Sequence, residues 1–427
     1  MNRAPANLRI TALVVLAVLI DATSGVRGEN WPQWRGPERN AVSAESKLPS
    51  HWSTESGIHW KVPLAGTGVS SPIIWEDRIV LTATDRRSQE ELLIACHARD
   101  DGRQLWLTRF WGTAPTLHHA TKSDMATPTP LTDGKRIFAL FGTGDLFCVD
   151  MDGQLVWQRS LAEEYGPFEN RFGHTSSPIL FENILILQCD HYGASYLLAV
   201  DADTGKNIWH LPRPGIWHSW SSPQIVRQAE ETTLVVCAAE RMEGFDPRNG
   251  QRQWIVHGLQ RECIPTPVIG HGRIYVVSGP RGSTFAVRPG GSGDVSDSHV
   301  DWRFDRGAPY VPSAILVGDQ YYLLDDQGVV TCLDAHQGKQ LWRHRIGGSF
   351  TASPVAGGGY VYFSDDDGVT TVIAAGKKSF TQVARNPLGS PVYASAAISQ
   401  GKLYFRTPDL LLAIEGTHTD VQSNAAR

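Results

Sequence analysis

Charge is scarce in this chain of 427 residues: Asp, Glu, Lys and Arg make up 19%, against roughly 25% in ordinary globular domains. The net charge is −5 and no basic block occurs. That excludes nucleic acid as the natural partner, because phosphate binding needs a cationic footprint. Cysteine is also sparse. Cys96, Cys148, Cys189, Cys237, Cys263 and Cys332 are scattered, with no Cys-x-x-Cys and no adjacent pair. Zinc spacing, a redox motif and a c-type haem site are therefore missing. Buried free thiols are expected, with one disulfide left open. There is no Ser/His/Asp order and no phosphate-cradling glycine loop. Gly290–Gly293 reads as a flexible insertion, since no helix follows it.

Long apolar runs are absent apart from Ile10–Ile20, broken only by Thr11 and preceded by Arg3 and Arg9. That stretch is too short to span a bilayer and fits a signal-peptide core. Residues 1–28 are read as a signal peptide cleaved after Gly28, with Ala22 or Gly25 as alternative sites. The expectation is an exported chain, periplasmic or secreted, with no membrane span after cleavage; a retained signal anchor is the competing reading.

Glycine (41), proline (25) and tryptophan (14) are plentiful, which suits short strands and tight turns. Self-similarity organises them. Units open at Ser71-Pro72, Thr129-Pro130, Ser177-Pro178, Ser222-Pro223, Thr266-Pro267, Ser313-Ala314, Ser353-Pro354 and Ser395-Ala396. Each opening leads into a short strand, a turn such as Glu76-Asp77, Asp133-Gly134 or His271-Gly272, and a strongly β-forming strand such as Arg273–Val277. A third strand follows, then a second turn and a fourth strand carrying tryptophan.

Four antiparallel strands per unit and eight units predict an all-β fold, an eight-bladed β-propeller spanning residues 57–416. The last unit lacks its tryptophan strand, and Gly57–Val62 supplies one ahead of the first. The N-terminal strand is therefore expected to close the ring, removing exposed sheet edges. Residues 29–56 form an N-terminal extension expected to lie across the propeller surface, and residues 417–427 a disordered tail.

The second turn has the form Asp-x-x-x-Gly-x-x-x-Trp at Asp201/Gly205/Trp209, Asp246/Gly250/Trp254 and Asp334/Gly338/Trp342. Asp150/Gly153/Trp157 is one residue shorter, Gly102/Trp106 lacks the aspartate, and Phe380 stands where the seventh unit's tryptophan is expected. Glycine accepts the positive φ of such a turn. Trp106, Trp157, Trp209, Trp254 and Trp342 are expected to dock each blade on its neighbour.

This turn resembles the tryptophan-docking motif of the quinoprotein (pyrroloquinoline quinone, PQQ) repeat propellers, over roughly residues 57–416. The opening Asn30-Trp-Pro-Gln-Trp-Arg-Gly-Pro37 is similar to the start of secreted PQQ-like repeat proteins. The resemblance implies the fold specifically and the function loosely. The family includes PQQ-dependent alcohol and sugar dehydrogenases and non-enzymatic members such as the lipoprotein propeller of the outer-membrane barrel-assembly machine. In the dehydrogenases, the resemblance implies, PQQ sits with Ca2+ between a tryptophan and a disulfide of adjacent cysteines. No adjacent cysteines exist here. The chain therefore reads as a binding or scaffold module of the periplasm or envelope, requiring no cofactor, with an envelope protein or glycan as partner. A PQQ- and Ca2+-dependent quinoprotein dehydrogenase, or a metal-assisted carbohydrate-active enzyme, is the alternative.

In such a blade the loops leading into the first strand and the hairpins between the second and third strands share one face. The regular turns share the other, which looks structural. The irregular face is expected to carry the site. Its candidates in the connecting loops are His118, His119, His174, Trp217, His218, Trp220, Glu262 and Tyr310; the hairpins add His191, Arg241, Arg281 and Asp325. Histidine with carboxylate suits a divalent metal, with His118, His174, His191 and His218 as the candidate set. Aromatics beside carboxylates suit a sugar or flat cofactor. Asp325-Asp-Gln-Gly328 is equally a good hairpin turn.

Overall fold

The computed structural model describes residues 29–114, 117–229, 231–279 and 282–416. The expected signal peptide, the tail and Arg281 lie outside these residues.

Eight sheets form a ring of blades in chain order. The first comprises Ile73–Trp75, Arg78–Thr84, Glu91–Ala98 and Gln104–Trp111, all antiparallel neighbours. The pattern repeats to the eighth blade, made of Ala397–Ser399, Lys402–Arg406 and Leu410–Ile414. Its fourth strand is Ile58–Pro63, paired antiparallel with Leu410–Ile414, so the two ends of the propeller meet in one sheet. One short helix, Leu161–Tyr165, separates the second and third blades; its N-cap Ser160 hydroxyl accepts from the Glu163 amide.

Position in the blade explains the residue pattern. Inner strands are covered on both faces by neighbouring blades and read as continuous apolar runs; Asp145–Asp150 is buried except at its end. Outer strands meet solvent and do not. Leu155–Ser160 buries none of its residues fully.

Tryptophan docking ties blade to blade. The indole N–H groups of Trp106, Trp157 and Trp209 donate to the carbonyls of Met151, Ala202 and Pro247, each at 3.0 Å. Trp342 reaches Lys377 O at 3.3 Å. The rings cover glycines of the next blade's turn. Gly205, at φ +69°, would place a Cβ 2.8 Å from the Trp157 ring, so that turn needs glycine both for its backbone and for its space.

Two further tryptophans dock the same way: Trp60 on Arg99 O at 2.9 Å, closing the ring, and Trp302 on Ala335 O at 3.0 Å. Trp254 departs from the expectation. It is buried and lies over Gly244 of its own blade, and its indole nitrogen has no partner. The cause is the insertion around Gly290–Gly293. It returns to the fourth blade, where Gly293–Asp294 pairs in parallel with Trp254 and Ile255 and covers the docking position.

The extension crosses the face of the short inner turns. Trp31 exchanges backbone bonds with Ile74, Pro32 O accepts from Thr132 N, and buried Arg35 donates to Ala314 O at 2.7 Å. Arg39 reaches Leu180 O at 2.9 Å, and Ser43 N donates to Ala356 O at 2.8 Å. One segment thus touches blades 1, 2, 3, 6 and 7 and stoppers the channel at that end. Among the described residues no helix is long and apolar enough to cross a membrane.

Candidate functional site

The unit openings do more than start strands. The amide of every opening Ser or Thr but the last donates to the hydroxyl of the next unit's opening residue. Seven such bonds of 2.9–3.3 Å run from Ser71 through Thr129, Ser177, Ser222, Thr266, Ser313 and Ser353 to Ser395. All eight residues line a central cavity of about 310 Å³. Each of the seven accepting hydroxyls gives a lone pair to the ring and keeps its O–H proton for whatever fills the well.

Trp34, from the extension, forms the floor; its indole nitrogen lies 3.3 Å from the Thr266 hydroxyl. Trp34 thus stands across the extension end of the well, and connecting-loop residues frame the other end. His119, Lys122, Phe172, Trp220, Tyr310, Asp326, Thr351 and Tyr393 stand around its upper wall. Trp220 is held by its indole bond to Gly173 O at 2.9 Å, across a blade boundary. Asp326 Oδ1 accepts from the amides of Tyr310 and Val311 at 3.1 and 3.0 Å, and burial pushes its carboxyl up. The Tyr310 hydroxyl donates to Glu262. Burial, then that carboxylate, raises the phenol.

Of the twelve residues expected on this face, His119, Trp220 and Tyr310 line the well. Glu262 stands behind Tyr310. Asp325 does not face the well: its carboxylate accepts from the amides of Gln327 and Val329 and shapes the hairpin, while its neighbour Asp326 lines the wall. His118 is exposed, beside Gln89 at 3.1 Å. Trp217 is 52% exposed, with the Arg261 guanidinium 5.6 Å from its ring. Tyr192, in the hairpin between Ile184–Cys189 and Tyr196–Asp201, and Leu117, in the loop into the second blade, are also exposed, at 50% and 72%, as is Trp111, at 74%, at the end of the outer strand Gln104–Trp111.

His174, His191 and His218 are buried among aromatics behind the well. His174 lies 4.8 Å from Phe168, and His218 lies 4.7 Å from Tyr192 and 4.8 Å from Trp220. Burial, with His191 adding to it, pushes His174 down to about 3. His191 and His218 are lowered by burial too. These are neutral core imidazoles. With His118 they do not converge as ligands. Among the described residues the one trio of His, Cys, Asp or Glu close enough to share an ion lies on the opposite face.

Arg241 belongs to the edge of a buried charge cluster. Arg213, 4% exposed, bridges Asp190 and Glu243, with its Nη2 2.7 Å from Glu243 Oε2; Arg252 adds a bond of 3.1 Å to Glu243 Oε1. Burial raises the Glu243 carboxyl, but the Arg213 charge and the hydrogen bonds from Arg213 and Arg252 together outweigh it, and the net shift is downward.

The residues of the well do not fit PQQ with Ca2+ as the resemblance describes it. All six cysteines are free and buried, none lines the well, and no carboxylate cluster gathers there. Sequence reasoning missed Trp34, which has no counterpart in the repeats, Lys122, and the hydroxyl ring, whose signal was the Ser or Thr at every opening.

Fold and well together define a tryptophan-docked, PQQ-like repeat propeller, stoppered at one end. The family described as outer membrane protein assembly factor BamB matches residues 38–256 and 297–419, and the chain belongs to that family. Among solved structures it is similar to BamB from Moraxella catarrhalis (14% identity, 84% of this chain and 98% of that one, TM-score 0.60). It is also similar to the quinohemoprotein alcohol dehydrogenase from Comamonas testosteroni (14% identity, 91% of this chain and 81% of that one, TM-score 0.68). At such identities the likeness is one of fold. A curated relative, the serine/threonine-protein kinase AfsK of Streptomyces griseus, is 26% identical over 154 residues, 34% of this chain and 18% of the kinase. The chain thus aligns with less than a fifth of that kinase's length.

Proposed function

We propose that this protein is a non-catalytic binding module of the cell envelope, exported by its N-terminal segment, that captures an extended segment of an envelope protein on its connecting-loop face. The observation that supports this best is the hydroxyl-walled well, with the exposed Trp217 and Tyr192 in the connecting loop and hairpin of the face it meets. The ring's O–H protons and the Lys122 ammonium suit an acceptor-rich chain such as a polypeptide backbone. Trp217, Tyr192, Trp111 and Leu117 suit its apolar side chains, and aromatic anchors carry most of the energy in such contacts. The family's description as an outer membrane protein assembly factor agrees with the compartment. The acceptor-rich chain is taken to be protein rather than glycan because the exposed group includes the aliphatic Leu117, which offers no stacking face to a sugar.

The test is capture from an envelope extract of the source organism, comparing the mature chain with Trp217→Ala/Tyr192→Ala. A polypeptide retained by the first and lost with the second supports the reading. A glycan alone, or equal capture by both, overturns it. Titration with PQQ and Ca2+ separates the dehydrogenase alternative: saturable, calcium-dependent binding with a raised melting temperature would favour that enzyme.

A further inference from the structure

On the face opposite the well, three turns from two blades converge. His271 sits in the turn between Val268–Gly270 and Arg273–Val277 of the fifth blade. Asp319 sits between Ile315–Val317 and Gln320–Leu324 of the sixth, and His336 follows Val329–Asp334 of the same blade. The two imidazoles are stacked, with centroids 4.6 Å apart and planes 20° from parallel. Both turn Nε2 toward one carboxylate oxygen: Asp319 Oδ1 is 3.5 Å from His271 Nε2 and 3.1 Å from His336 Nε2. All three donor atoms lie within 4.8 Å of one another.

We infer that His271, Asp319 and His336 form a binding site for a first-row divalent transition metal of the zinc class. Three features carry this. First, the two separations from Asp319 Oδ1, 3.5 and 3.1 Å, are close to what a tetrahedral ion needs: bond lengths of about 2.0–2.2 Å to nitrogen and oxygen put ligand atoms roughly 3.3–3.5 Å apart. Second, the donor type fits: two imidazoles and a carboxylate suit Zn2+, Cu2+ or Ni2+, and not Ca2+ or Mg2+, which take oxygen donors. Third, the outer contacts hold the ligands in place. Tyr275 Oη lies 3.3 Å from His271 Nδ1, and such a partner fixes ring orientation. When Nδ1–H donates to that hydroxyl, Nε2 keeps the in-plane lone pair that a metal ion takes. The Ala335 amide donates to Asp319 O at 2.9 Å, locking the two turns of the sixth blade together before any ion arrives.

Three protein ligands leave an open position, and the side chains are 28%, 74% and 46% exposed, so the ion is reachable from solvent. Bound there, it staples the fifth blade to the sixth.

The test uses the mature chain without a histidine tag, stripped with a chelator. Co2+ is titrated by its visible d–d absorption, and Zn2+ by competition with a chromogenic chelator. The expected result is saturation at one equivalent and a melting temperature raised by Zn2+. Asp319→Asn and His336→Ala should each weaken binding at least tenfold, while an exposed-histidine control, His59→Ala, should not. Because the ligands are exposed, the metal-free variants should melt with the metal-free parent, which separates lost binding from lost folding. No saturable binding at one equivalent, or undiminished binding by Asp319→Asn/His336→Ala, would overturn the site.

Discussion

Trp34 Nε1 lies 3.3 Å from Thr266 Oγ1, joining the N-terminal extension to the hydroxyl ring across 232 positions of sequence. That contact makes the channel a well with a floor. Replacing Trp34 with alanine should open the floor, at about 1–3 kcal/mol because the ring is half-buried, less than the roughly 3–5 kcal/mol of a fully buried tryptophan. Urea denaturation measures the cost. A small polar solute entering the channel from the extension side, detected by paramagnetic broadening at Thr266, checks the opening.

Trp157 and Trp254 look equivalent in sequence and are not in structure. Trp157 donates to Ala202 O, whereas the Trp254 indole nitrogen is buried without a partner. Trp157→Phe should cost the docking bond, about 0.5–1.5 kcal/mol. Trp254→Phe should cost no hydrogen bond; it removes an unpaired buried N–H, and what it loses is the packing of the buried indole. Denaturation midpoints of the two variants provide the comparison.

Arg213 holds Asp190 and Glu243 in the core of the third and fourth blades. Arg213→Met should be strongly destabilising, by about 3–5 kcal/mol, because it leaves the buried Asp190 without its cation and Glu243 with only the partly exposed Arg252. Asp190→Asn and Glu243→Gln added to Arg213→Met should recover much of that loss. Recovery, read from melting curves, separates stranded charge from lost packing.

Stability should also fall on acidification. His174 is pushed down to about 3 by burial from an ordinary value of 6.5. The unfolded chain therefore binds more protons than the folded one between those values. Its contribution is complete above pH 6.5 and is lost as pH falls toward 3. Glu243, whose folded value is also depressed, adds a loss beginning below its ordinary 4.5. His174→Leu should remove about one proton from the slope of stability against pH above 4.5. An unchanged slope would contradict the assignment.

The propeller was legible in the sequence because it is periodic. Each Ser-Pro or Thr-Pro opening, Gly-rich turn and terminal tryptophan repeats one solution to one packing problem. The site was only half legible, because it is built from departures. Asp325 and Asp326 are adjacent and chemically identical, and only the hairpin geometry decides that Asp325 caps the turn while Asp326 faces the well. Trp254 fits the docking pattern, but an insertion nearly 40 residues later covers its place. Trp34 belongs to no repeat, and its position depends on where the extension crosses the ring. His271, Asp319 and His336 come from three ordinary turns, and nothing in their spacing shows that two blades bring them together.

The central claim is that partners are met on the connecting-loop face. The most direct measurement is site-specific photo-crosslinking in envelope extract, with a photoreactive residue at Trp217 on that face or at Asp152, in the turn between Asp145–Asp150 and Leu155–Ser160, on the opposite one. The account predicts a discrete crosslinked polypeptide from position 217 and none from 152. Crosslinking from 152 alone would contradict it.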